Sequence, residues 1–401
     1  MSLPSMASVE PTRSKYVDDV ELYRSDLRRY LAEATWVAEW RAATCSSAEQ
    51  RLAYDASVLR RLYADGWNRY GWPEMVGGHG GDEIHRAAFY DELTAALLPV
   101  PNQQWTLETL GPALIAFAPQ LAAERLGAYL RGEEWWGQGF SEPDAGSDLA
   151  SLRTRALDDG HGGLVVSGQK IWTSQGGTAH RFVVLVRTGS TASRHRGLTM
   201  VLIDADAPGV TVRPIALASG RRELAEVFFD NVRVPAQRVI GDRDGGWEVA
   251  MYLMQYERGM YGYAVVTAAL AQLSRLRATM VARSASAADK QRFARVYVAT
   301  MVAAARGAAT VRMLARGQTL GPASSIDKLL FTTVEKDIQD LIFDVRHDWM
   351  MNGADDADPA DVDEVRADWW YARAATIMGG TAEVQKNIVA DHVLGLPRGA
   401  Q

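Results

Sequence analysis

Cysteine is nearly absent: Cys45 stands alone in 401 residues. No internal disulfide can form, and the cysteine usage gives no sign of an oxidising compartment. No Cys/His spacing suits a metal site. No long run of lysine and arginine occurs, and the formal net charge is −6. Both features argue against a nucleic-acid scaffold or a binder of anionic membranes. No run of about 20 apolar residues marks a membrane span. Residues 1–16 are polar and lack the apolar stretch of a signal peptide. Together these absences predict a soluble, cytoplasmic protein.

What is present is ordinary for a folded chain. The apolar fraction is 47% and the charged fraction 23%, so a large core can form. The length allows two or three domains. Three zones differ in periodicity. Up to residue 135, apolar residues recur at steps of three and four over 17–30, 49–63, 85–97 and 121–130, which predicts helices. From 136 to 247, short β-branched and aromatic runs (164–166, 182–186, 198–203, 210–212 and 227–229) alternate with Gly-rich turns, which predicts strands. From 248 to 401 long helical patterns return. After Ser325, the residues Ile326, Leu329, Leu330, Val334, Ile338, Leu341, Ile342 and Val345 predict one apolar helix face. The acidic stretch 352–365 reads as a solvated loop. The expected fold is therefore α+β and multidomain: an N-terminal helical domain (1–135), a central antiparallel β domain (136–247) and a C-terminal helical bundle (248–401).

Two segments carry chemistry. Gly137-Gln138-Gly139-Phe140-Ser141-Glu142-Pro143-Asp144-Ala145-Gly146-Ser147-Asp148 is a tight loop of small residues and hydroxyls. Such loops suit close approach of a flat cofactor or a phosphate, although the composition equally fits an exposed turn. Gly168-Gln169-Lys170-Ile171-Trp172-Thr173-Ser174-Gln175 is strand-like. It places Trp172 and Ser174 on one side and Thr173 on the other. An indole and a hydroxyl on one face could hold a ring system, or could belong to an ordinary strand with a buried Trp.

In this order and spacing, the two segments resemble the acyl-CoA dehydrogenase family. Glu226-Val227-Phe228-Phe229-Asp230-Asn231-Val232-Arg233-Val234-Pro235, Gly245-Gly246-Trp247, Glu257-Arg258 and Ile377-Met378-Gly379-Gly380-Thr381-Ala382-Glu383-Val384-Gln385 extend the resemblance over nearly the whole chain. The resemblance implies FAD as cofactor, with Gln138, Phe140, Ser141, Ser147, Trp172, Ser174, Thr381 and Glu383 around it. Ser147, Arg258 and Gly380 would lie on the substrate side. It also implies α,β-dehydrogenation of an acyl-CoA to a 2-enoyl-CoA. In such enzymes a carboxylate takes the α-proton, and a backbone N–H helps to polarise the thioester carbonyl.

The base departs from the commonest family pattern. Many members carry a glutamate in a Tyr-Glu-Gly-Thr segment, where this chain has Met378-Gly379-Gly380-Thr381. Gly379 offers a backbone N–H but no carboxylate. In another branch the base sits on the first long helix of the C-terminal domain, and Glu257 occupies that place. Glu257 is thus the expected base, against the alternative of a structural Glu257–Arg258 charge pair. The adenine-binding segments are weak, with Gln291-Arg292-Phe293 a loose match. This resembles a bacterial branch that handles bulky substrates and includes heteromers. Expected partners are an acyl-CoA or an acyl-phosphopantetheine carrier, an electron-transfer flavoprotein as acceptor, and a homo- or hetero-oligomer with a related chain. Alternatives are a structural subunit of a heteromeric dehydrogenase and a flavin monooxygenase on the same scaffold.

Overall fold

A computed structural model describes residues 16–43, 45, 47–352 and 359–397. The N-terminal region contains α1 (Val20–Glu33), α2 (Thr35–Ala42), α3 (Ala48–Ala64), α4 (Glu83–Ala95), α5 (Gln103–Phe117) and α6 (Pro119–Leu130). The first helices start where the sequence supplies caps. Asp19 accepts from Leu22 N, and Ser47 from Gln50 N, satisfying amides that no helical carbonyl can reach.

The strands run from Trp136 to Ile240: β1 (Trp136–Gly139), β2 (Arg155–Asp158), β3 (Leu164–Ser174), β4 (Arg181–Arg187), β5 (Leu198–Asp204), β6 (Val210–Ile215), β7 (Leu224–Val234) and β8 (Val239–Ile240). Their order is β6-β7-β3-β2-β4-β5-β8, with β1 paired to β4. The sheet is mostly antiparallel, as the alternation of strands and turns predicts. Two pairings differ: β1 runs parallel to β4, and β2 meets β4 in parallel at Arg155 and Arg187. Strands with intervening chain between them can pair this way, and periodicity alone does not report direction.

The C-terminal helices are α7 (Gly246–Tyr256), α8 (Gly262–Ala282), α9 (Ala287–Ala315), α10 (Ser324–Val345), α11 (His347–Asn352), α12 (Pro359–Ala372) and α13 (Ala382–Ile388). A π-helical turn, Glu257–Tyr261, joins α7 to α8. Part of the expected loop 352–365 is helical. Residues 353–358 lie outside the described residues, and α12 begins at Pro359. Proline is pre-organised for a first helical turn, and Val362 gives the new helix a buried anchor.

The three zones share cores. Trp136, Leu185 and Met200 of the sheet pack with Leu107 and Leu114 of α5 and Leu253 of α7. Tyr23 and Leu27 of α1 pack with Tyr256, Met260 and Ala264 of the C-terminal region. The turn bearing Glu257 is thus clamped between N-terminal helices and the bundle. Helix α10 sits centrally. Its buried set includes Ser325, Asp327, Lys328, Thr332 and Gln339, while Ile326, Leu329 and Leu330 are only half-buried. Val334, Ile338 and Leu341 of the expected apolar face are buried, and burial extends to other sides of the helix as well. Asp327 is accommodated there because Arg306 and Thr310 of α9 both bond it, whereas the Ser325 hydroxyl is buried without a partner.

Candidate active site

The two motif segments meet in the β region. Ile171 N donates to Ser141 O at 2.9 Å, fixing the loop against β3. Behind the loop lies Lys170, fully buried, whose Nζ donates to Phe140 O (3.0 Å) and Glu142 Oε1 (2.8 Å). The Glu142 carboxylate also accepts from Arg153 N and Thr154 N. Burial pulls the Lys170 amine down to about 8. Burial pushes the Glu142 carboxyl up, but Lys170 and the two backbone amides outweigh it and hold it below its usual range.

The β3–β7 register slips between Lys170 and Thr173. This bulge keeps Lys170 and Thr173 both buried and turns Trp172 outward, 54% exposed, at φ +61°. A bulky residue in the left-handed region stores strain that a ring contact could repay. Ser174 is half-buried, on the opposite side from Thr173, as strand alternation predicts. Gln138 is half-buried on β1, Ser141 is half-buried and Ser147 is exposed. The Phe140 ring is packed in the helix–sheet core, and its carbonyl accepts from Lys170 Nζ.

The second group forms around the π turn. Glu257 is half-buried. A Cβ added to Gly379 would overlap Glu257 Oε1. The two positions where the base can sit therefore converge, and the Glu257 carboxylate fills the space that a side chain at 379 would need. Gly379 and Gly380 have φ +63° and +93°, which glycine adopts without steric cost. Glu257 and Arg258 form no ion pair. The Arg258 guanidinium instead donates to Ser324 Oγ at 3.3 Å and lies against Met254 Sδ. It points toward a small cavity between α8, α9 and α10.

The C-terminal signature closes this corner. The Thr381 hydroxyl accepts from Val384 N and so caps α13, while Glu383 is exposed in its first turn. Gln385 is fully buried; its Nε2 reaches Gly379 O at 3.5 Å and its Oε1 has no partner. Across from Gly379 stands Lys328, whose Nζ donates to Ala375 O at 3.1 Å. Burial pulls its amine down to about 8, against Glu257 and Glu335, which favour the ammonium. Burial also raises Glu335 to about 7, opposed by Lys328 and reinforced by Asp368. The wall beyond is aromatic. Trp105 meets Tyr261 edge-on at 5.5 Å, and Tyr261 meets Phe331 at 5.9 Å. An Arg221–Asp368 contact ties this side to the β region.

The Glu257 carboxylate stands over the Gly379 turn, and the exposed Trp172 indole belongs to the β region. The family model "Acyl-CoA dehydrogenase, middle domain" matches residues 137–232, and "Acyl-CoA dehydrogenase, C-terminal domain" matches 244–394. The acyl-CoA dehydrogenase IpdE1 of Mycobacterium tuberculosis is 36% identical over 96% of this chain and 100% of its own length. The chain belongs to the acyl-CoA dehydrogenase family. It is an oxidoreductase of that family by the same likeness. A solved chain described as the Tcur3481-Tcur3483 steroid ACAD is 26% identical, with TM-score 0.79, over 98% of this acyl-CoA dehydrogenase and 100% of that chain. The ChsE4-ChsE5 complex from Mycobacterium tuberculosis shares the fold at 24% identity and TM-score 0.74, over 98% and 100%.

The family is usually FAD-dependent, and the residues present fit such a group. The exposed Trp172 indole offers a large flat face. Ser174 lies two residues further along β3, and Ser141 is tied to the strand through the Ile171 N to Ser141 O bond; both are half-buried. Polar-edged rings need this combination of a flat face and free hydroxyls. Sequence reasoning did not single out Lys170, Lys328, Glu335 or Gln385 as parts of the site. Burial of a charged residue is invisible in composition, although Lys170 lies within the quoted motif.

Proposed function

We propose that this acyl-CoA dehydrogenase removes two hydrogens across Cα–Cβ of an acyl-CoA, using FAD, to give the 2-enoyl thioester. The observation carrying this reading is Glu257 Oε1 standing in the space above Gly379. In this reading the Gly379 N–H donates to the thioester carbonyl, where negative charge develops, and lowers the cost of forming an enolate-like carbon. Glu257 accepts the α-proton on Oε1 and becomes neutral. The two electrons of the former Cβ–H bond leave as hydride and a C=C bond remains, so atoms and charge balance. When bound, FAD supplies the acceptor for that hydride. Trp172, Ser141 and Ser174 would hold its ring and polar edge. Gln138, Ser147, Thr381 and Glu383 are proposed to lie further around it. The aromatic wall of Trp105, Tyr261 and Phe331 keeps water from the reacting carbons.

The substrate is proposed to be bulky and steroid-derived, by analogy with the relative described as a steroid ACAD. A related partner chain is proposed to complete FAD binding. Support comes from α9, whose Tyr297, Val298, Met301 and Val302 form an exposed apolar strip on a helix only 33% buried over its most apolar stretch. Within the chain, Arg292 pairs with Asp344 at the surface. An electron-transfer flavoprotein is the proposed acceptor.

Glu257→Gln tests the reading directly. Turnover of a steroid-derived acyl-CoA should fall about 10²–10⁴-fold, with the visible flavin spectrum unchanged. Turnover near the wild-type level would remove Glu257 from the chemistry. Trp172→Ala should lower the FAD content of the purified protein, because a large aromatic contact is lost; undiminished flavin per chain would disprove the stacking role.

A further inference from the structure

Beside the proposed base lies a buried cation that the motifs did not single out. Lys328 projects from α10 and is 6% exposed. An ammonium carries three donors, and Ala375 O is the hydrogen-bond acceptor it meets among the described residues. Its Nζ also faces the Phe331 ring at 4.9 Å. Neither Glu257 nor Glu335 approaches it to ion-pair distance. Yet Lys328 Nζ stands 3.5 Å from the point where a Gly379 Cβ would be, the point that Glu257 Oε1 overlaps. Ammonium and carboxylate therefore flank one spot, from α10 and from the π turn.

The charged surroundings are few. Glu257 is faced by Lys328 from α10 and by Arg258 and Tyr261 from its own turn. Arg258 is drawn toward Ser324 and Met254. Lys328 is faced by Glu257, Arg258 and Glu335. Glu335 is faced in turn by Asp368 of α12, and Tyr261 and Tyr371 lie toward it. Lys328 is thus the cation buried against both the Gly379 turn and the Glu257 carboxylate.

We propose that Lys328 is a positioning residue for the dehydrogenation: its ammonium keeps the Glu257 carboxylate ionised over Gly379, while its bond to Ala375 holds the segment bearing Gly379. This rests on Glu257 being the base. A carboxylate in a water-poor channel tends to take up a proton and so lose its function as a base. A cation at contact would occupy the oxygen that must receive the α-proton. A cation held just beyond contact favours ionisation and leaves Oε1 accessible. The hydrogen bond to Ala375 keeps the ammonium at that distance.

Three variants of the holoenzyme test the idea. Lys328→Gln keeps a donor for Ala375 O but removes the charge; Lys328→Met removes both; Lys328→Arg keeps both. The acid limb of kcat/KM reports the free enzyme's base. It should move to higher pH by about one unit or more in the Gln and Met variants and stay near its wild-type position in the Arg variant. Infrared titration of the carboxylate band that Glu257→Gln abolishes should move by the same amount, and this readout needs no turnover. If Lys328→Met does not fold, the Gln and Arg pair still decides. An unmoved acid limb and an unmoved band in Lys328→Gln overturn the proposal, leaving Lys328 a structural residue. An active Glu257→Gln enzyme overturns the base assignment instead, so the two failures are distinguishable.

Discussion

Two lysines are buried beside carboxylates in this molecule, and they are treated in opposite ways. Lys170 touches Glu142 at 2.8 Å, and the carboxylate is completed by two backbone amides. Lys328 touches neither of its carboxylate neighbours and bonds a carbonyl instead. Burial pulls both amines to about 8. The desolvation is shared, and the difference lies in hydrogen-bond completion. A satisfied network fixes shape. Charges left facing one another without contact retain protons and bonding capacity for a reaction. The first lysine holds the loop beside the proposed flavin face; the second borders the proposed base.

Breaking the first site should do the most damage. Lys170→Met leaves the Glu142 carboxylate buried without its cation, a change worth about 3–5 kcal/mol in comparable buried pairs. Thermal or denaturant unfolding should show that loss, together with weaker flavin retention as the loop from Phe140 loosens. A variant as stable as wild type would mean that the two backbone amides suffice for Glu142.

The second site should respond in activity and much less in stability. Gly379→Ala forces a Cβ into the Glu257 carboxylate and places alanine in the left-handed region, a local strain of about 1–2 kcal/mol. Displacing the base by about an ångström should cost about 100-fold in kcat, while unfolding shifts only slightly. Full activity in this variant would show that Glu257 need not occupy that spot.

The same contrast explains what was legible in the sequence. Zones of helix, strand and helix could be read because apolar periodicity and glycine punctuation are local properties. Trp172 and Ser174 could be placed on one side of a strand because alternation is local too, although the bulge that strains Trp172 arises from the pairing of β3 with β7. Glu257 was named because it occupies the base position that the resemblance to another branch of the family implies, where Gly379 has no side chain. Its meeting with Gly379 is 122 residues away along the chain and was not visible. Lys328 was hidden by its helix: reading Ile326, Leu329 and Leu330 as the buried face assigns Lys328 to solvent. Its burial is decided by α12, α13 and the π turn closing around α10, which no pattern within 324–345 encodes.

The smallest expected effect concerns Glu335, which separates a held-apart charge group from a hidden ion pair. Its carboxyl is raised from 4.5 to about 7, first by burial, with Asp368 adding to it and Lys328 opposing. Between those two values the folded chain holds a proton that the unfolded chain has released. Its contribution to stability is therefore fully present below about 4.5 and lost as pH rises through 7. Glu335→Gln removes that dependence. The difference in Tm, variant minus wild type, should be smallest near pH 4.5 and should grow more positive toward pH 8. Were Glu335 instead a contact partner of Lys328, the glutamine variant would lose stability at pH 8, because the paired carboxylate would be missing there. The sign of that difference at pH 8 thus reports whether Lys328 is held by a neighbouring carboxylate, as Lys170 is, or left free to act on Glu257.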